Sequence, residues 1–278
     1  MRSERIRLKY YYNFLGEGGK DPTLDLYLPY NMPEINREKQ KRPCLLICPG
    51  GGYGMCSERE SEPVALHFLT EGFNVFVLRY SVAPYRFPSQ LREVAASLEL
   101  IHRFADLWNC DTKKIAIMGF SAGGHLAAHY STMYDCKEVR EVFPESKKVN
   151  ASILSYPVIT ADPKCWHKGS FVNLLGHTPQ TQEEEIYFSC DRQVSKKTPP
   201  AFLWHASDDT CVPVKNSMLY AEALSENGIP FELHIYPYGG HGISTCDKQV
   251  HNKLNSNIEY DRDWLNSAKK WLKLTFDL

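Results

Sequence analysis

The sequence predicts an α/β fold with a mostly parallel sheet of about eight strands, covered by helices on both faces. Short apolar runs recur along the chain, which is typical of strands that are buried on both faces. Amphipathic segments lie between these runs, with apolar residues spaced three and four apart. Such an alternation of strands and helices is the pattern of a parallel sheet between two helical layers.

The predicted elements can be placed in chain order. Two strands form an antiparallel edge near the start, at residues 9–14 and at residues 24–28, where leucines alternate with other residues. The remaining strands are predicted at residues 45–48, 73–78, 115–118, 152–156, 201–204 and 231–236. Helices are predicted at residues 62–71, 88–108, 214–227 and 258–274, and an alanine-rich helix follows the strand at 115–118. Gly72 and Gly228 directly follow two of these helices, as is common at helix ends.

One long segment, residues 160–199, interrupts the alternation between two predicted strands. It is rich in aromatic and leucine side chains. In a parallel sheet the ligand-binding edge lies at the carboxyl ends of the strands. A long insertion at that edge is typical of a lid or a pocket wall. We expect it to belong to a single domain that spans residues 1–278.

Composition excludes several function classes. Lys and Arg number 32 and Asp and Glu number 33, which gives a net charge of −1. This balance gives no electrostatic reason to expect nucleic acid or an anionic membrane as a partner. No run approaches the roughly 20 apolar residues of a membrane helix, and the charged N-terminus lacks the apolar core of a signal peptide. We therefore expect a cytoplasmic protein.

The nine cysteines do not form a recognisable pattern. There is no Cys-x-x-Cys pair, which argues against a secreted disulfide framework and against a zinc ribbon. Cys44 and Cys48 lie in an apolar strand, where we expect small buried side chains. The sequence contains no plausible cluster of metal ligands, and we expect neither a metal nor another cofactor.

The chemistry is predicted by Gly119-Phe120-Ser121-Ala122-Gly123, a Gly-x-Ser-x-Gly motif with a strand before it and a helix after it. A sharp strand-to-helix turn holds such a serine hydroxyl out above the sheet. The N-terminus of the following helix favours a developing negative charge. The alternative is a glycine-rich turn with an incidental serine. The context favours Ser121 as a nucleophile.

A serine hydroxyl needs a base to accept its proton. His241 lies in Gly239-Gly240-His241-Gly242, directly after a predicted strand, and is the favoured base over His234 and His251. The base needs a carboxylate in turn. Asp208 and Asp209 both follow the strand at 201–204, and either obeys the order of serine, acid and histidine along the chain.

The glycine-rich loop after the strand at 45–48 is predicted to stabilise an oxyanion. Its residues Gly51 and Gly52, together with Ala122, are the expected backbone N–H donors. A dinucleotide-binding loop is the alternative, but the third glycine of Gly-x-Gly-x-x-Gly is missing. Tyr53, beside these glycines, is a candidate for substrate binding. His125, on the helix after Ser121, is expected to support the neighbouring loops.

Together these motifs resemble the α/β-hydrolase superfamily, and within it the small carboxylesterases related to acetyl xylan esterases and to the hormone-sensitive-lipase-like group. The segment from His205 to Pro213 resembles the pattern His-x-x-x-Asp-x-x-Val-Pro, which places the catalytic acid at Asp209. The lipase-like group often has histidine before the glycine triplet, where this chain has Pro49. The departure favours the branch that is similar to xylan esterases.

The resemblance implies a serine carboxylesterase that removes small acyl groups, above all acetyl, from sugars or oligosaccharides. Two alternatives remain: a peptidase or amidase acting on short substrates with the same triad, and a non-catalytic binding protein on the same scaffold. The expected partner is a small ester rather than a macromolecule, and the sequence leaves a homo-oligomer open.

Overall fold

Eight strands form one sheet in the computed structural model, which describes residues 1–15 and 21–278. Their bounds are β1 Arg2–Arg7, β2 Thr23–Leu28, β3 Arg42–Cys48, β4 Asn74–Arg79, β5 Cys110–Phe120, β6 Ala151–Ser155, β7 Ala201–Ala206 and β8 Phe231–Tyr236. The spatial order is β1-β2-β4-β3-β5-β6-β7-β8. Strand β2 runs antiparallel to both of its neighbours, whereas β3 to β8 are parallel. The predicted fold class is confirmed.

Helices connect the parallel strands and cover the sheet. Their bounds are α1 Glu62–Leu69, α2 Ser89–Arg103, α3 Ser121–Met133, α4 Lys137–Arg140, α5 Lys168–Leu175, α6 Gln182–Phe188, α7 Lys215–Glu226, α8 Ser256–Asp261 and α9 Asp263–Phe276. In the described parts of the chain, none of these helices combines the length and the apolar character that crossing a membrane requires.

Two apolar cores lie on opposite faces of the sheet. Neighbouring residues of β3 divide between them: Leu46 packs in one core, and Leu45 and Ile47 pack in the other. This follows from strand geometry, because successive side chains point to opposite faces. The first core is completed by α2, α3 and α7, and the second by α1 and α9. Cys44 and Cys48, also on β3, are fully buried as predicted.

The first strand was wrongly predicted. Residues 9–14 are not a strand; β1 is the charged segment Arg2–Arg7, which pairs with β2 along its whole length. The edge of a sheet can bind a further strand through backbone hydrogen bonds alone. Strand β1 therefore needs few apolar side chains, and only Ile6 of it is buried. The aromatic residues that suggested a strand pack elsewhere, Tyr11 against Phe104 and Tyr12 against Phe143.

Two helices also differ from the prediction at their ends. The helix predicted to reach residue 108 ends at Arg103, and the chain then turns into β5. The final helix is divided into α8 and α9. In the first case the apolar periodicity continues after the helix has ended, and in the second it does not reveal the break at Arg262.

The insertion at residues 160–199 contains α5 and α6 and lies beside the loop that follows β3. Its buried side chains Phe171, Leu174 and Phe188 join the core that α3 shares. Asn173 on α5 donates its side-chain N–H to the carbonyl oxygen of Gly52 at 2.9 Å. This bond attaches the insertion to the loop at the carboxyl end of β3, so the insertion forms one wall of the site described next.

Candidate active site

Ser121 stands at a sharp turn between β5 and α3. Its φ of +51° lies in the left-handed region, which only a tightly constrained non-glycine residue adopts. Neither of the flanking glycines leaves room for a side chain. A Cβ on Gly119 would lie 2.1 Å from the carbonyl oxygen of Gly123, and one on Gly123 would lie 2.1 Å from that of Cys48. These close backbone contacts hold the serine at the carboxyl end of β5, as the motif predicts.

The structure brings Ser121, His241 and Asp209 into one chain of hydrogen bonds. Ser121 Oγ lies 2.8 Å from His241 Nε2, and His241 Nδ1 lies 2.6 Å from Asp209 Oδ2. The neutral histidine that fits both contacts carries its proton on Nδ1, donates it to the carboxylate, and accepts the serine proton at Nε2. This is the geometry that activates a serine hydroxyl as a nucleophile.

The adjacent carboxylates, Asp208 and Asp209, have different roles. Asp209 is buried, and its Oδ1 accepts backbone N–H bonds from Cys211 and Val212, both at 2.9 Å. Asp208 Oδ1 instead accepts the N–H of Gly240 at 2.8 Å. This exposed bond holds the loop that contains His241. The order of residues along the chain allowed either acid to contact the histidine. In the structure only Asp209 contacts His241.

Burial would raise the pKa of Asp209, but hydrogen bonds from His205 and His241 outweigh it and hold the pKa well below its usual range. His205 was not assigned a role from the sequence. It is fully buried, and its Nε2–H faces both the carbonyl oxygen of Val212, at 2.9 Å, and Asp209 Oδ2, at 3.2 Å. The four-residue spacing between His205 and Asp209 was the only sign of this contact in the sequence.

The other two candidate histidines do not reach the serine. His234 Nε2, on the edge strand β8, is bound to Glu232 at 2.6 Å. His251 Nε2 donates to the carbonyl oxygen of Ile243 at 2.8 Å. The structure thus places His241, and neither alternative, beside Ser121.

The glycine-rich loop after β3 lies beside the serine. Gly51, with a φ of +122°, and Gly52, with a φ of +62°, line the cavity that contains Ser121. Among the residues that the structure describes, no acceptor is found for either N–H. Ala122 lies in the first turn of α3, where backbone N–H groups have no partner within the helix. This arrangement fits the predicted oxyanion site.

Tyr53 does not reach the cavity. Its side chain is 1% exposed, and its hydroxyl donates to His125 Nδ1 at 2.9 Å. His125 Nε2 in turn donates to the carbonyl oxygen of Phe188 at 2.9 Å, and burial lowers the pKa of His125 to about 4. The ring therefore stays neutral and links the glycine loop to the insertion. The expectation of substrate contact by Tyr53 is wrong, because its side chain is buried in the core and its hydroxyl is bound to His125.

A second buried carboxylate, Glu60, connects the two loops that flank Ser121. Its Oε2 accepts the N–H of Gly50 at 2.8 Å, and its Oε1 accepts the hydroxyl of Tyr156 at 2.7 Å. The same hydroxyl accepts the N–H of Ser244 at 3.0 Å, three residues after His241. The Tyr156 ring also packs edge-on against the His241 ring, with centroids 5.0 Å apart.

Sequence reasoning missed Glu60, because its partners Gly50, Tyr156 and Ser244 are distant in the chain. The only available sign was an acidic residue shortly after the glycine loop. In the structure, Glu60 fixes the residue next to Gly51 and, through Tyr156, the segment that follows His241. It is therefore placed to hold the glycine-rich loop after β3 and the loop that contains His241 in a fixed position relative to each other.

We expect Glu60→Ala to lower kcat by about 10- to 100-fold with a smaller change in KM, because a displacement of about 1 Å in positioned groups can cost that much. Glu60→Gln, which retains one acceptor oxygen, should lose less. Steady-state kinetics with p-nitrophenyl acetate measures both. Glu58→Ala is the matched control, since Glu58 is exposed and pairs with Arg79 away from the cavity. Equal activity of Glu60→Ala and Glu58→Ala would show that Glu60 positions nothing.

The cavity above Ser121 has a volume of about 220 Å³. Its lining is mostly small or polar: Gly51, Gly52, Met55, Ser57, Arg59, Glu60, Ser121, His167, Cys211, His241 and Gly242. Only Met55 and Cys211 offer apolar side chains. The volume is below the roughly 300–1,000 Å³ of sites that enclose drug-sized ligands. Across residues 1–15 and 21–278, no group of three or more His, Cys, Asp or Glu side chains could hold a metal ion.

The strand order and the turn that carries Ser121 define the α/β-hydrolase class. Within that class, the chain belongs to the BD-FAE family, whose profile matches residues 24–224. A similar solved structure is the acetyl ester-xyloside bifunctional hydrolase from Caldicellulosiruptor lactoaceticus. It is 35% identical and superposes with a TM-score of 0.83 over 98% of this chain and 96% of that one.

Two curated relatives are longer proteins. Endo-1,4-beta-xylanase B of Butyrivibrio fibrisolvens is 39% identical over 248 residues, which are 86% of this chain and 37% of that protein. Acetylxylan esterase of Xylanibacter ruminicola is 33% identical over 229 residues, which are 81% of this chain and 44% of that protein. The chain thus spans less than half the length of either relative.

Proposed function

We propose that the protein is a serine carboxylesterase that removes small acyl groups, above all acetyl, from sugars or oligosaccharides. The main support for ester hydrolysis is a pair of contacts at His241. Its Nε2 lies 2.8 Å from Ser121 Oγ, and its Nδ1 lies 2.6 Å from Asp209 Oδ2. These two distances connect nucleophile, base and acid in one line at the carboxyl edge of the sheet.

In the first half of the proposed reaction, Ser121 Oγ attacks the ester carbonyl carbon while His241 Nε2 takes the hydroxyl proton. The carbonyl oxygen becomes an anion, which the N–H groups of Gly51, Gly52 and Ala122 stabilise. Collapse of this intermediate breaks the bond to the alcohol, and His241 returns its proton to the departing alkoxide. The acyl group is now an ester of Ser121.

In the second half, water replaces the alcohol. His241 accepts a proton from water, and the oxygen of that water attacks the acyl-serine carbonyl. The same backbone N–H groups bind the second oxyanion. The bond to Ser121 Oγ then breaks, the carboxylic acid leaves, and His241 protonates the serine. Asp209 stays ionised throughout, since its pKa lies well below the usual range, and stabilises the imidazolium.

The small acyl group is supported by the cavity. A long acyl chain gains affinity by burying its methylene groups, at about 0.8 kcal/mol for each one. The lining near Ser121 offers Met55 and Cys211 as its apolar side chains and otherwise glycine backbone and polar groups. The sugar part of the proposal is supported by the polar side chains in the lining, among them Ser57, Arg59 and His167. The names of two relatives, an acetyl ester-xyloside hydrolase and an acetylxylan esterase, point in the same direction.

The test is hydrolysis of p-nitrophenyl esters from acetyl to decanoyl by the wild type and by Ser121→Ala. We expect kcat/KM to peak at acetyl and to fall by about tenfold or more by octanoyl, because the cavity cannot bury the added methylene groups. A maximum at octanoyl or decanoyl would contradict the small-acyl assignment. The matching p-nitroanilide of acetic acid tests the amidase alternative, and faster cleavage of the anilide than of the ester would favour it.

A further inference from the structure

We propose that His167 selects the alcohol part of the substrate: its Nε2–H donates a hydrogen bond to a sugar hydroxyl close to the scissile ester. This inference rests on the proposed function and deepens it, because it assigns recognition of a hydroxylated alcohol to one side chain. His167 belongs to the insertion at residues 160–199, and it lines the cavity together with Ser121 and His241.

The orientation of the His167 ring follows from its bonds. Nδ1 accepts the backbone N–H of Ser170 at 3.3 Å and lies 2.8 Å from the Ser170 hydroxyl. A backbone N–H can only donate, so Nδ1 carries the lone pair and the proton of the neutral ring is on Nε2. Ser170 is 1% exposed on α5, so the ring is held by a buried partner. Its donor is therefore fixed before any substrate arrives.

The donor at Nε2 is unused by the protein. Among the described residues no acceptor lies within hydrogen-bond distance of it, and the ring is only partly buried. The Cε1 edge of the same ring faces the glycine loop, 3.8 Å from where a Cβ on Gly52 would stand. A fixed N–H at the wall of a cavity is a recognition element for an oxygen acceptor. A hydroxyl, which accepts as well as donates, fits a neutral donor.

The ring also lies near His241, the group that protonates the leaving alcohol in the proposed reaction. Burial and then the nearby His241 lower the pKa of His167, while Asp209 acts in the opposite direction. His167 and His241 line the same cavity. Because His241 delivers the proton to the leaving alcohol, a donor in the same cavity near His241 is placed to meet the hydroxyls of that alcohol. The lowered pKa also keeps His167 neutral, so it does not repel the imidazolium that forms during turnover.

Two substrates distinguish recognition of the alcohol by His167 from a general loss of activity. Methyl 2-O-acetyl-β-D-xylopyranoside carries hydroxyls beside its ester, whereas the alcohol part of p-nitrophenyl acetate carries none. We expect His167→Phe to lower kcat/KM for the acetylated xyloside about three- to tenfold more than it lowers kcat/KM for p-nitrophenyl acetate, the range for losing one hydrogen bond. His167→Gln, which keeps an N–H donor, should retain more of the xyloside activity than His167→Phe.

Ser170→Ala is the second variant, since it keeps the ring but removes the hydroxyl that steadies it. It should show the same selective loss at smaller size, and it tests the proposal even where His167→Phe does not fold. Equal losses on both substrates, or no loss on the xyloside, would overturn the role of His167. A wild type that cleaves p-nitrophenyl acetate but not the xyloside would overturn this inference and the sugar part of the proposed function, while leaving the ester hydrolysis in place. A wild type that cleaves neither ester would overturn the proposed function as well.

Discussion

Replacing Ser121 with alanine is expected to lower kcat by about 10⁶-fold, the loss found when a serine hydrolase loses its nucleophile. The structural reason is the 2.8 Å contact between Ser121 Oγ and His241 Nε2, which leaves the base with no hydroxyl to activate. The fold should be retained, because alanine keeps the Cβ at the same φ of +51° and removes a single oxygen. The measurement is kcat with p-nitrophenyl acetate, together with the thermal unfolding midpoint.

A serine far from the cavity provides the control. Ser225 is exposed near the end of α7, and Ser225→Ala should retain wild-type activity. A fluorophosphonate reagent adds a second readout, because it should add its mass to the wild type at Ser121 and leave Ser121→Ala unlabelled. A residual rate of Ser121→Ala within tenfold of the wild type would remove Ser121 from the role of nucleophile.

The second large effect is expected at Asp209. The backbone N–H groups of Cys211 and Val212 both donate to Oδ1, so in Asp209→Asn they orient the amide with its oxygen toward them. The amide NH₂ then faces His241 Nδ1, which must accept instead of donate. The histidine proton moves to Nε2, where it blocks acceptance of the serine proton. We expect kcat to fall by about 10⁴-fold, as in other serine hydrolases with this substitution.

Asp208→Asn is the matched control one residue away. Asp208 Oδ1 accepts the N–H of Gly240, and an amide oxygen can accept the same bond. We therefore expect a loss smaller than tenfold. Measuring kcat for both variants side by side decides between the two acids. A larger loss at Asp208 than at Asp209 would mean that the acid in contact with His241 is not the one that catalysis uses.

The parts of the site that the sequence predicted are those determined by local structure. Ser121 stands in a motif whose glycines are needed for close backbone contacts within a few residues of it. His241 and Asp209 each follow a strand that is apolar enough to recognise, and parallel strands bring their carboxyl ends together. Strand β3 is buried on both faces, so its residues form a continuous apolar run. This run made the strand recognisable in the sequence.

The parts that escaped prediction depend on distant partners. Strand β1 is held by its pairing with β2 rather than by its own side chains, and only Ile6 of it is buried. Tyr53 was expected at the cavity, but its direction depends on His125, 72 residues away. Glu60 has no local motif, since its role is defined by Tyr156, 96 residues away. A single sequence carries no record of which distant segments meet.

The bonds that join Glu60, Tyr156 and Ser244 have a consequence for the order of folding. They connect segments that are 96 and 88 residues apart, and His241 reaches Ser121 across 120 residues. Contacts of such long range form late, because the entropy of closing large loops must be lost first. A chain that has assembled β3 to β6 alone would hold its nucleophile but neither its base nor its acid. Recovery of turnover after denaturation therefore reports the docking of the C-terminal third of the chain, with β7 and β8, onto the strands β3 to β6.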